Sequence, residues 1–245
     1  MISSVALQAV IALAATCLGD PDLVACGGSD AQGCLINLSC GAGPCDPVEP
    51  DKPTIVVTHG FNPFPRRVRF CFPESFAREF RYRCGTGVNV LAWDWNADTF
   101  VSLRPKVNSE NAIDQGCRLA TALISRGVEP AHTQLIGHSL GCVVVVSAAR
   151  HLASTTGEPI AQLTLLDPLK SQHALIFERL AATRVALRVE NDWAPGLSGY
   201  GAQANYPGVI NVRVPGATPL RGLVNPLLSN HLHVVRWRLN ALRLN

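Results

Sequence analysis

A mostly parallel sheet with helices on both faces, an α/β fold, follows from three features of the chain. Short apolar, β-rich runs recur at 54–58, 88–93, 133–136, 162–166, 184–189 and 209–214. Helical stretches separate most of them, as at 109–125 and 142–152, and that alternation builds parallel sheets whose sites lie at the C-terminal ends of the strands. The composition suits one sizeable core: 245 residues, 47% hydrophobic and only 16% charged, which argues against disorder over most of the length.

The first element is an apolar stretch from Val5 to Ala15 with small residues at Ala12, Ala14 and Ala15. It is too short for a membrane span and has the length of a signal-peptide apolar region, although no lysine or arginine precedes it. Residues 1–16 are expected to be a signal peptide and the protein to be secreted or periplasmic. Residues 17–53 read as a Cys/Gly/Pro-rich segment and linker. Cys26, Cys34, Cys40 and Cys45 fit no common zinc spacing, and disulfides of an exported chain explain their density. The main domain is expected over 54–245.

The strand at 54–58 is β-branched throughout and runs into His59-Gly60-Phe61-Asn62-Pro63. The backbone N–H of Phe61 is a candidate oxyanion donor, with His59 ordering the loop. Arg66-Arg67-Val68-Arg69 reads as solvated surface, with contact to an anionic lipid headgroup as the alternative. Cys71 and Cys84 are expected to pair. The strand at 88–93 ends on Asp94-Trp95, read as wall and support. Cys117, in the helix at 109–125, and Cys142 are expected to be buried as small hydrophobes.

The strand at 133–136 leads into Gly137-His138-Ser139-Leu140-Gly141, then helix 142–152. This G-x-S-x-G lies between strand and helix, the context of a nucleophile elbow. Ser139 is the expected nucleophile, and the N–H of Leu140 the second oxyanion donor. Such preset donors contribute about 2.7–4 kcal/mol each. Bulk beside the serine is excluded by its two glycines, and His138 is committed to the turn through its backbone.

A serine nucleophile needs a base and an acid to orient it. Two carboxylates follow strands in the right chain order: Asp167 after 162–166, and Asp192 after 184–189. A helix N-cap and a solvated loop are the respective structural alternatives. His231 and His233 are the local candidates for the base. His231 stands at the start of an expected helix over 232–242. His132, His151 and His173 have no partner motif. Between acid and base, 193–226 is rich in Gly, Pro, Leu and aromatics, including Trp193, Tyr200, Tyr206, Leu220, Leu223 and Leu227. That composition suits an apolar lid or, alternatively, a wide crossover containing a strand.

The order H-G-F, Trp93-Asp94-Trp95, G-H-S-L-G, Leu166-Asp167-Pro168 and Asn230-His231-Leu232 resembles the pancreatic-lipase-like group of α/β-hydrolases over about 54–237. The resemblance implies the α/β-hydrolase fold, with Ser139, Asp167 and His231 as a triad and Asp192 as the rival acid. It implies hydrolysis of carboxylic esters, lipid acyl esters first, with transient contact at a lipid interface. A non-lipid acyl hydrolase (a thioesterase or polyester-cleaving enzyme) is the second reading, and a non-catalytic binding module the third. The lipases' long C-terminal lipid-binding domain has no counterpart in this sequence. No cofactor or metal is expected, because no dinucleotide, phosphate-loop, H-E-x-x-H or C-x-x-C pattern occurs. A net charge of +3 gives no argument for nucleic acid.

Overall fold

A computed structural model describes residues 33–39, 48–61, 72–95, 105–178, 180, 184–195, 201–216 and 226–244. The expected signal peptide, the arginine cluster at 66–69 and much of 17–53 lie outside these residues. Seven strands form one sheet: β1 (Cys34–Asn37), β2 (Thr54–Thr58), β3 (Asn89–Asp94), β4 (Thr133–His138), β5 (Ile160–Leu166), β6 (Ala186–Trp193) and β7 (Val209–Arg213). Their order is β1-β3-β2-β4-β5-β6-β7, with β1 antiparallel to β3 and every other pair parallel. The helices are α1 (Phe72–Cys84), α2 (Pro105–Ile124), α3 (Gly141–Thr156) and α4 (Pro226–Leu244).

The central strands are apolar without alternation because both of their faces are covered. All five residues of β2 are buried. Val56, Leu91, Leu135 and Leu163 face one core with α2 and α3. Ile55, Val57, Val90, Ile136 and Leu166 face the other, with Phe76 and Phe80 of α1 and Val234 and Val235 of α4. Ten residues of α3 are buried, so this helix is interior rather than a surface cover. It crosses α2 closely at Gly116, where a Cβ would lie 2.4 Å from the Val144 carbonyl oxygen.

Several elements differ from the sequence reading. The segment expected as a linker supplies the edge strand β1, a run too short to carry an alternation signal. α1 is not singled out by the sequence. Strand β6 extends to Trp193, so Asp192 lies within a strand, where it is fully buried. Helix α4 begins at Pro226, which puts His231 in its second turn rather than before its start. Cys142 is buried, but Cys117 is half-buried. Cys84 is free and exposed, so the expected pairing with Cys71 (outside the described residues) is not made. Cys34 is disulfide-bonded.

Candidate active site

The site lies where β2, β4 and β5 end. Ser139 follows β4 directly with φ 55°. A non-glycine residue there costs on the order of 1–3 kcal/mol. Its surroundings impose the turn. The Ser139 N–H donates to the Leu166 carbonyl at 2.9 Å, and its own carbonyl accepts from the Cys142 N–H at 3.0 Å. A Cβ on Gly137 would stand 2.4 Å from the Gly141 oxygen, and one on Gly141 would stand 2.5 Å from the His59 oxygen. These glycines let strand, helix and the loop after β2 meet at backbone distance.

That loop carries the first expected oxyanion residue. A Cβ on Gly60 would lie 2.7 Å from the Ser139 Cβ and 3.3 Å from the Leu140 nitrogen. Gly60-Phe61 and Leu140 therefore border the serine from two sides. The first turn of α3 has no side-chain cap, so its positive N-terminal end stays beside Ser139. His59 is buried and holds the loop. Its Nδ1 is 2.9 Å from the Gly60 carbonyl, its ring stacks on Trp95 at 5.6 Å, and its own carbonyl accepts from Trp95 Nε1 at 3.1 Å. Asp94 Oδ1 is 3.5 Å from His59 Nε2. Asp94 and Trp95 thus brace the loop.

Asp167 follows β5 with φ 51°, and among the described residues it and Ser139 are the two non-glycine residues with positive φ. Its N–H donates to the Asp192 carbonyl at 2.8 Å. Its carboxylate accepts from the Ala194 N–H at 3.1 Å through Oδ1 and meets His231 Nδ1 at 2.7 Å through Oδ2. Both side chains are buried. Gly201, at φ 60°, passes so near that a Cβ there would lie 1.7 Å from the Ala194 oxygen and 3.0 Å from Asp167 Oδ1. The sequence gives no sign of this glycine's part in the acid's setting.

Burial depresses His231 to about 3, so the imidazole rests neutral, the form in which it can accept a proton. The same burial pushes the Asp167 carboxyl up to about 7, against the opposing Ala194 N–H. His138 lies against the pair. Its ring centroid is 4.3 Å from that of His231, and its Nε2 is 3.3 Å from the His231 carbonyl.

Asp192 is not in this cluster. It lies 3.4 Å from Arg238 on α4, and neither of its oxygens has a hydrogen bond. Arg238 also pairs with Glu190, which in turn binds Arg188. His233 turns away from the site, 3.1 Å from the Pro215 carbonyl. His132 pairs with Glu129 on the surface, and His173 packs edge-on against Phe177. In the described part of 193–226, Val209–Arg213 is strand β7, as the crossover reading expected, Tyr206 stacks on Phe177, and Ala194 and Gly201 lie against Asp167. Among the described residues no group of His, Cys, Asp or Glu is placed to hold a metal ion.

The sheet order together with a strand–elbow–helix at its centre defines the α/β-hydrolase fold. No protein-family model and no curated protein matches the chain. Among solved structures it is similar to a predicted CIB-like hydrolase from Thermoplasma acidophilum, at 14% identity and TM-score 0.46, over 80% of this chain and 88% of that one. It is similar to esterase Est2 from Thermogutta terrifontis at 15% identity and TM-score 0.42, over 84% and 86% of the two chains. The hyperthermophilic esterase from Pyrobaculum calidifontis gives 14% identity and TM-score 0.42, over 96% and 87%. Likeness at this level does not reach activity.

Proposed function

We propose that this chain is a serine hydrolase of carboxylic esters that works through an acyl-enzyme. The observation that carries the reading is the buried His231–Asp167 contact of 2.7 Å, formed at the strand end beside the elbow that presents Ser139. In the first half-reaction His231 takes the Ser139 hydroxyl proton as Oγ attacks the ester carbonyl carbon. Asp167 holds the imidazole's Nδ1–H and offsets the charge of the imidazolium. The carbonyl oxygen, now an oxyanion, is met by the Phe61 and Leu140 N–H groups. The imidazolium then protonates the departing alcohol. Water attacks the acyl-enzyme by the same route, releasing the acid and restoring Ser139.

The motif order shared with the pancreatic-lipase-like group and the apolar sequence of 193–226 support lipid acyl esters as the substrate class. The N-terminal apolar run and the cysteine density support export. A fluorophosphonate probe followed by a series of p-nitrophenyl esters from acetate to palmitate tests the chemistry and the chain preference together. Labelling is expected at Ser139, and Ser139→Ala should abolish it and lower turnover by about 10⁶-fold. Labelling at another serine, or none, overturns the assignment. Turnover confined to the shortest esters overturns the lipid preference alone.

A further inference from the structure

The expected nucleophile and base come from different parts of the molecule, and the His138 side chain reaches from one to the other. Ser139 follows the central strand β4, while His231 rides on helix α4. Asp167 holds one edge of the His231 ring through Nδ1. His138 is covalently next to Ser139. Its ring lies at 4.3 Å and 38° to the His231 ring, and its Nε2 lies 3.3 Å from the His231 main-chain carbonyl. Both histidines are 5% exposed, so water does not compete for these contacts.

We infer that His138 is a positioning residue: through ring contact and a hydrogen bond to the His231 carbonyl, it ties the base to the backbone that carries the nucleophile. The inference rests on the serine-hydrolase reading above. The bond requires His138 Nε2–H as donor to the carbonyl, which fixes the neutral tautomer with the proton on Nε2. A neutral ring also suits the reaction, since a second cation against His231 would oppose the imidazolium that forms there. Burial holds His138 well below its ordinary value. The position needs both a flat face and an N–H at its far end. Among the residues a β4 terminus would otherwise favour, Val or Ile offers neither.

Three variants separate the two contacts. His138→Phe keeps a ring and removes the donor. His138→Gln keeps an N–H donor and removes the ring. His138→Ala removes both. Each is assayed on p-nitrophenyl butyrate for kcat and KM, normalised to the folded fraction, together with the fluorophosphonate labelling rate at Ser139. His138→Ala is expected to lose about 100-fold in kcat, the order associated with misplacing a catalytic group by about 1 Å, with KM nearly unchanged. Labelling should slow in parallel. Phe and Gln should each recover about tenfold of that loss. In a His231→Ala background, whose residual turnover lacks the base, His138→Ala should have no further effect.

Variants that keep full kcat, or lose it equally with and without His231, overturn the inference while leaving Ser139 labelling and the proposed function intact. A wild-type protein that does not label at Ser139 fails the proposed function instead. Should His138→Ala not fold, Phe and Gln decide alone: kcat at the wild-type level in both overturns the inference, and a drop of about tenfold in each, at unchanged KM, supports it.

Discussion

Asp167 and Asp192 lie near the C-terminal ends of neighbouring strands, are both buried, and are joined by one backbone hydrogen bond of 2.8 Å, yet their environments are opposite. Asp192 stays in regular β6 and pairs in register with Leu166. Side chains level on neighbouring strands share a face, so its carboxylate points into the core beneath α4, towards Arg238. Asp167 lies one residue beyond β5 with φ 51°. That one left-handed residue ends the alternation and turns the carboxylate towards Ala194 N–H and His231. The difference teaches that a left-handed turn just past the strand, and not burial, separates the carboxylate that meets His231 from the one that meets Arg238.

The largest break in this comparison is to neutralise each carboxylate in turn. Asp167→Asn should lower kcat on short esters about 10⁴-fold with the fold retained, because the imidazole loses both its tautomer and its counter-charge. Asp192→Asn should cost about tenfold or less. Steady-state assays at matched thermal stability decide, and a crippled Asp192→Asn beside a near-normal Asp167→Asn would reverse the two assignments.

Next in size is Gly201→Ala, which touches Asp167 and not Asp192. The added Cβ would meet the Ala194 oxygen at 1.7 Å, so the segment whose N–H holds Asp167 must shift. About 100-fold loss in kcat is expected. Wild-type rates in a folded Gly201→Ala protein would show that the Ala194 contact does not orient the acid.

A pH profile sharpens the contrast by about tenfold in rate. On the proposed function the working form has Asp167 ionised and His231 neutral. Burial raises Asp167 from its ordinary 3.8 to about 7, so kcat/KM should fall as pH drops through about 7. Asp192→Asn should leave this limb in place. In Asp167→Asn the residual activity should persist to lower pH, following the depressed His231. A limb that moves in Asp192→Asn would assign the titration to the wrong carboxylate.

The smallest effect is on stability. Asp192 rises from 3.8 to about 6, burial being the main cause and Arg238 the opposing one. The folded state therefore holds this proton more tightly than the unfolded state. Between about pH 4 and 6 rising pH strips it from the unfolded chain first, so its contribution becomes unfavourable and is fully so above about 6. Asp192→Asn removes that charge while Arg238 keeps Glu190. A gain of about 1–2 kcal/mol, or a few degrees in Tm, is expected at pH 8 and little at pH 4. A loss of Tm at pH 8 would mean that the Arg238 pair outweighs desolvation.

How far the sequence reaches can be judged from the same residues. β2, β4 and β5 are legible because both of their faces are buried, so their apolar runs need no partner to be recognised. The Ser139 elbow is legible because its two glycines frame the serine in a short pattern between strand and helix, although only Gly137 is required by a near neighbour and Gly141 makes room for the distant His59 carbonyl. Edge strand β1 is not, since four half-buried residues make no pattern until β3 offers its free edge. His138 looks like a turn residue, because its partner His231 is 93 positions away.

By itself, then, the sequence determined the α/β class, the order of the strands' C-terminal turns, and the place of the strained serine. These depend largely on short-range sterics and on hydrophobic runs short enough to be read within a single window of the sequence. Only the tertiary structure decided which buried carboxylate meets which partner. Asp167 follows β5 and Asp192 lies near the end of β6, and nothing in the local sequence announces the left-handed turn that sets them apart. Their surroundings diverge through that turn and through the long-range packing that brings His231 of α4 to Asp167 and Arg238 to Asp192.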